Sequence, residues 1–222
     1  MQTIDLNADL AEGFPNDYEL LSVVSSVNVC MGSHAGNPEL TEEIFRVGRS
    51  NGLRMGAHPG FPDPQTMGRR ELEEGYPEAW IESVAHQISQ ASSFAYIKPH
   101  GALFHWLANA PEDAEYLWDV IEEMEKPFMG LPGTGHEIQC RRRGLRFINE
   151  GYCERGYDRK GHLLPRTEPG AVLHDMDSIC DQALVLASKV DSICVHGDRP
   201  DAVLVARAVR EALERGGYKV TA

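Results

Sequence analysis

The chain of 222 residues has no C-x-x-C pair, and its five cysteines, Cys30, Cys140, Cys153, Cys180 and Cys194, are odd in number. That points away from a disulfide scaffold and from a structural zinc site, and Cys30 and Cys194, inside apolar runs, read as core thiols. Basic residues are scarce: 21 Lys and Arg stand against 34 Asp and Glu, a formal net charge of −13. Such a balance points away from nucleic acid and anionic membranes as partners. No apolar run approaches the ~20 residues of a membrane span, and Met1-Gln2-Thr3-Ile4-Asp5 has neither a charged n-region nor an apolar h-region. The expectation is a cytoplasmic protein. Local catalytic signatures are missing too: there is no G-x-S-x-G elbow, no H-E-x-x-H and no Walker A loop. Pro132-Gly133-Thr134-Gly135 can point amides at an anion, but it lacks the spacing and the lysine of a nucleotide loop.

What the chain does have is 42% apolar residues and no low-complexity tract, enough for one domain over residues 1–222. It also has a repeated pattern. Val27-Asn28-Val29-Cys30 runs into Gly32-Ser33-His34-Ala35-Gly36, and Met55-Gly56-Ala57 into His58-Pro59-Gly60. Tyr96-Ile97 runs into Lys98-Pro99-His100-Gly101, and Ile193-Cys194-Val195 into His196-Gly197-Asp198. Four short apolar runs each end in a histidine with glycine close behind, as strand-to-loop exits at a ligand site do. Pro99 has no N–H for a ladder, so Lys98 and His100 leave the end of a strand, and two residues apart they share a face.

Alternation and helical period supply the rest. Thr3 to Asp9 alternates strictly, with Asp5, Asn7 and Asp9 on one face and Ile4, Leu6 and Ala8 on the other. That polar face is turned either to solvent or to the inside of a closed barrel, and Glu12 follows in the next loop. Helices are expected over 38–50, 77–92, 111–125, 176–189 and 199–215, the last capped by Asp198, with strands over 128–131, 145–149 and 192–195. Residues 58–70 form a Pro/Gly-rich loop of lid length, and the irregular stretch 158–174 is placed to cover the site. Seven β-then-α units predict an α/β fold, a seven-stranded parallel (β/α) barrel, with an open doubly wound sheet as the alternative. Either fold binds ligands beyond the carboxyl ends of its strands, where Asp9, His34, His58, Lys98, His100, Glu154 and His196 fall.

Imidazoles beside carboxylates at one rim are acid/base groups, and Lys98 is placed to stabilise an oxyanion or anchor a substrate carboxylate. The base is Asp9, His58 or His100. Asn7, Glu12, His34 and His196 stand as substrate contacts, and Glu154 with Arg155 reads either as a rim ion pair or as two more of them. A divalent metal is left open, with Asp9, His34 and His58 as its candidate ligands. With no serine elbow or activated cysteine, attack by water on an amide or ester is the reaction these groups suit.

Several of these stretches together carry a resemblance. Asp5-Leu6-Asn7-Ala8-Asp9-Leu10-Ala11-Glu12-Gly13, Gly32-Ser33-His34-Ala35-Gly36-Asn37-Pro38, Gly56-Ala57-His58-Pro59-Gly60, Lys98-Pro99-His100-Gly101-Ala102-Leu103 and Val195-His196-Gly197-Asp198 resemble the LamB/YcsF family. Leu164-Pro165-Arg166 and Pro169-Gly170-Ala171-Val172 match it as well. The resemblance implies a glycoside hydrolase/deacetylase-like seven-stranded barrel that works with two other subunits, B and C, of a 5-oxoprolinase. That complex opens 5-oxo-L-proline to L-glutamate using ATP, here expected to be bound mainly by the partner subunits. The alternatives are a stand-alone metal-dependent amidohydrolase and a non-catalytic binding subunit. The chain departs from the family pattern where Ala11 replaces a usual glycine, Ser33 a phenylalanine, Asn37 an aspartate, Cys153 an alanine and Glu154 an aspartate.

Overall fold

The face carrying Asp5, Asn7 and Asp9 turns inward: all three are buried, and so are Ile4, Leu6 and Ala8 on the opposite face. Only a strand covered on both sides does this, and a closed barrel supplies the covering, with helices outside and polar side chains inside. The computed structural model describes residues 2–158 and 161–222; Arg159 and Lys160, part of the stretch expected to cover the site, lie outside the described residues. Its elements in chain order are β1 (Gln2–Leu10), α1 (Asp17–Leu20), β2 (Ser26–Cys30), α2 (Pro38–Ser50), β3 (Arg54–His58), α3 (Glu78–Ser89), β4 (Tyr96–Ile97), α4 (Gly101–Asn109), α5 (Glu115–Glu123), β5 (Phe128–Gly130), α6 (Gly135–Arg142), β6 (Phe147–Tyr152), α7 (Met176–Ala187), β7 (Ser192–His196), α8 (Ala202–Arg215) and β8 (Tyr218–Val220).

Strands β1 to β7 are parallel neighbours in sequence order, and β7 returns to β1, so the sheet closes as the expected seven-stranded barrel. The register is set where Asp9 lies opposite Asn28 of β2 and His196 of β7, which puts three strand ends level at one mouth. β8 pairs with Gln2, Thr3 and Ile4 of β1, below the closure, and adds nothing to the mouth.

Local sequence explains most of these elements. In α2, Asn37 accepts the Leu40 N–H at 2.8 Å and Pro38 opens the helix, a cap that contributes about 1 kcal/mol. In α8, Ala202, Val205, Ala206, Val209, Ala212 and Leu213 form the buried stripe that the 3.6-residue period predicts. This helix starts three residues later than expected, and its N-cap is Asp201, not Asp198. Three helices escaped the sequence reading, the single turn α1 and the longer α4 and α6. α4 is apolar nearly all round, leaving no polar face to set a period, and α6 is short and begins at a glycine. The amides of the Gly133 loop serve α6 itself: Gly133 N–H donates to Glu137 and Thr134 accepts from His136 N–H.

Inside the barrel the lower layer is polar. Ser25, Ser26 and Ser192 hydroxyls all donate to the Asp5 carboxylate. Above it, Asn7 donates to Ser192 and accepts from Asn28, whose amide also reaches Asp9 and whose carbonyl accepts from the Tyr96 hydroxyl. Gly56 is required here: a Cβ would meet the Tyr96 ring at 2.2 Å. The interior therefore holds a connected hydrogen-bond network rising from Asp5 to the mouth, with the two central side chains fixed on both sides.

Candidate active site

Lys98 is the centre of the mouth. It follows β4, and its buried ammonium lies 2.7 Å from Asp9 Oδ1, 3.0 Å from Glu150 Oε1 and 3.3 Å from Cys194 Sγ, with the Tyr152 ring 5.4 Å away. Burial opposes the charge, but Asp9, together with Cys194 and Glu150, outweighs it and raises the lysine pKa well above its ordinary value. Burial likewise opposes ionisation of Asp9, and the Lys98 charge beside it holds its carboxyl well below the usual range. An ammonium and a carboxylate, both charged at neutral pH and both largely withdrawn from water, thus face the cavity floor.

Three histidines stand against this pair. His58, the last residue of β3, has Nε2 at 3.5 Å from Asp9 Oδ2 and 3.0 Å from His100 Nδ1. Burial pushes its pKa down to about 3. His100 is lowered well below its ordinary value by burial and by the crowding of His34 and His58. His34 stacks on His100 with ring centroids 4.0 Å apart and planes 3° from parallel. Its pKa is raised to about 9: burial works against the charge, and hydrogen bonding to Cys30 and Glu12 prevails. Glu12 Oε1 lies 3.4 Å from both His34 Nε2 and His100 Nδ1.

The loop expected as a lid packs over the same rings. Met67 carbonyl accepts from His100 at 2.8 Å, and Gly60 and Gly68 come so close to His34 that a Cβ at Gly60 would sit 2.3 Å from its Nδ1. Arg69 crosses the mouth to Asp198 at 2.6 Å, which gives Asp198 an ion-pairing role in place of the expected cap. Arg70 turns away to Asp63 and the Trp80 ring.

A cleft of about 510 Å³ opens above, lined among others by Asp9, His58, Lys98, His100, His196, Arg69, Arg155 and Arg166. The sequence placed Asp9, His58, Lys98 and His100 together, and the structure brings all four to its floor. Glu12 and His34 sit just behind them, buried, and His196 forms one wall. Arg166 donates to His196 Nε2 at 3.2 Å, so the histidine proton is on Nδ1, which donates to Glu154 at 3.0 Å. Glu154 therefore pairs with His196, and with Arg199 at 3.6 Å, while Arg155 holds the covering segment through the Leu164 and Ala171 carbonyls. That resolves the rim pair: Glu154 and Arg155 do not bind one another. Asn7 lies one layer below, engaged with Ser192 and Asn28, and does not line the cleft.

Sequence reasoning missed Glu150, Tyr152 and the place of Cys194. β6 runs on to Tyr152, three residues past the expected end, and the alternation Ile148, Glu150, Tyr152 was the signal for an inward carboxylate. Cys194, read as a core thiol, shares the face of Ser192 and His196 and touches Lys98. For a metal, the side chains whose ligand atoms gather within 4.8 Å of one another are Glu12, His34, His58 and His100. This group shares His34 and His58 with the expected set and leaves Asp9 to Lys98.

The LamB/YcsF family model matches residues 4–222. The A subunit of a 5-oxoprolinase from Azorhizobium caulinodans is 38% identical over 250 positions, covering 99% of this chain and 98% of that protein. Its counterpart from Gluconobacter oxydans is 39% identical, covering 100% and 98%. The crystal structure of a lactam utilization protein from Thermus thermophilus superposes with a TM-score of 0.84 at 33% identity, covering the whole of both chains. Among the described residues no helix is long and apolar enough to cross a membrane.

Proposed function

The chain belongs to the LamB/YcsF family, and from that premise we propose that it is the ring-opening subunit of an ATP-dependent 5-oxoprolinase. The observation that carries this reading is the composition of the cleft: a charged Asp9–Lys98 pair and two imidazoles on the floor, beneath Arg69, Arg155 and Arg166 at the sides. On a chain of net charge −13 this concentration of cations fits a small anionic substrate such as a lactam carboxylate. An unstrained five-membered lactam is a stable amide, so its opening needs activation. Two partner subunits supply this by phosphorylating the lactam oxygen with ATP, a reaction at home in the cytoplasm.

Here water adds to the activated ring carbon, with Asp9 taking its proton. The ring C–N bond then breaks and the nitrogen takes up a proton, leaving an amine and an acyl phosphate. A second water releases phosphate and the side-chain carboxylate. Lys98 donates to Asp9 and Cys194 and forms an ion pair with Glu150, so it acts on the developing oxyanion by its fixed charge, while Arg69 and Arg166 orient the anionic substrate. His58 stays unprotonated throughout the neutral range, so it adds no charge of its own beside the Asp9–Lys98 pair.

The test is glutamate release from 5-oxoproline by the reconstituted three-subunit assembly. Release that needs ATP and all three chains, and that is lost in Asp9→Asn with the assembly intact, supports the reading. Release by this chain alone without ATP, or full activity of the Asp9→Asn assembly, defeats it.

A further inference from the structure

His58 Nδ1 lies 2.7 Å from the Lys98 carbonyl oxygen, and His100 Nε2 lies 2.8 Å from the Met67 carbonyl oxygen. A carbonyl can only accept, so each of these nitrogens carries a hydrogen. The opposite nitrogens, His58 Nε2 and His100 Nδ1, are then bare lone pairs, and they point at one another across 3.0 Å. Two acceptors at that distance repel unless a cation lies between them. From this juxtaposition we infer that the barrel mouth holds a divalent first-row transition-metal ion, bound by His58 Nε2, His100 Nδ1 and the Glu12 carboxylate.

The spacing distinguishes a metal from a shared proton. A proton bridges a single pair, yet Glu12 Oε1 lies 3.4 Å from His100 Nδ1 and Asp9 Oδ2 lies 3.5 Å from His58 Nε2. Both contacts are longer than an ordinary N–H···O hydrogen bond of about 2.9–3.0 Å. Bonds of about 2.1 Å to one ion place neighbouring ligand atoms about 3.0 Å apart at a right angle and about 3.4 Å at the tetrahedral angle. Both carbonyl contacts are the outer-shell hydrogen bonds that fix the tautomer and ring orientation of metal-binding histidines. His34 completes the group of four without being a ligand. An imidazole binds metal in its own plane, and a ring parallel to His100 at 4.0 Å cannot share an ion with it in that way. It is a positioning residue that holds Glu12 at 3.4 Å.

Two imidazoles and a carboxylate suit zinc or a neighbouring ion better than magnesium or calcium, which take oxygen ligands. When bound, such an ion would polarise a carbonyl or a water in the cleft. The inference does not depend on the substrate being a lactam.

The full-length protein is stripped with a chelator, dialysed and titrated with Zn²⁺ alone, with metal content read by plasma emission and binding by calorimetry. The expected result is about one ion per chain, lost in His58→Gln and in His100→Gln. Crystals of the unsubstituted protein should give an anomalous peak at the zinc edge between the two imidazoles, which decides the matter even where the variants fail to fold. Zinc uptake that survives both substitutions, an anomalous peak only at surface side chains, or no uptake of Zn²⁺ would overturn the inference.

Discussion

His136 and His58 are both wholly buried, and burial pushes both pKa values down to about 3, yet the two do opposite things. His136 Nε2 donates to the Phe104 carbonyl at 2.9 Å and its Nδ1 accepts the Leu131 N–H at 3.2 Å, with Phe104, Phe128 and Trp118 around the ring. Nothing is left over. His58 spends one nitrogen on a carbonyl in the same manner, but its second faces His100 and Asp9 at the floor of an open cleft. Burial and a depressed pKa therefore do not mark a functional histidine in this molecule. What sets His58 apart is a lone pair left free by the backbone and turned toward the cleft floor.

The comparison breaks first at Lys98. Lys98→Met would leave Asp9 and Glu150 as buried carboxylates without their cation, with an expected loss of about 3–5 kcal/mol in a denaturant titration. A loss below ~1 kcal/mol would mean that solvent already compensates the floor. Next, His58→Gln and His100→Gln should each lower glutamate formation by the assembly roughly 10²–10⁴-fold, with the circular dichroism spectrum unchanged. Activity within about threefold of the unsubstituted protein would put these rings in the same class as His136.

His136→Leu is the converse variant. It strands the Phe104 carbonyl and the Leu131 N–H, so about 1–3 kcal/mol of stability is expected to go while turnover per folded molecule stays constant. The pH dependence has a definite sign. The folded-state pKa of His136 lies near 3, below the unfolded value of about 6.5, so between these values only the unfolded chain takes the proton. Stability then falls by about 1.4 kcal/mol per unit as pH drops through that window, and His136→Leu should remove about one proton from the slope of midpoint against pH. An unchanged slope would show that other groups carry it.

The smallest effect tests the strand exit that carries Glu12. Ala11 has φ +65°, a left-handed conformation that costs a non-glycine residue roughly 1 kcal/mol, and glycine is usual there in the family. Ala11→Gly should raise stability by up to ~1 kcal/mol by denaturant midpoint, the relief exceeding the added freedom of the unfolded chain. A loss of stability would show that the alanine methyl packs usefully beneath the mouth.

How much of this was legible beforehand follows from how local each signal was. Four histidines behind apolar runs, and the alternation of Asp5, Asn7 and Asp9, gave the strand exits and the inward face, because side-chain direction along a strand is fixed by its period of two. The same rule held for Glu150, but the expected end of that strand at Asn149 hid it: pairing of β6 with β7 at Glu150, Gly151 and Tyr152 extends the strand beyond its apolar run. β8 likewise exists only through its pairing with β1. Asp198 looked like a helix cap because its attraction to Arg69 spans 129 positions in the chain.

From sequence alone came the class of fold, the end of the barrel where chemistry resides and most of the side chains present there, since each follows from periodicity and punctuation over a few residues. Tertiary structure alone decided which nitrogen of each imidazole is free, which carboxylates share Lys98, and that His136 is spent on the backbone. Those are matters of direction between groups far apart in the chain, set only when the sheet closes and distant carbonyls take up their positions beside the rings.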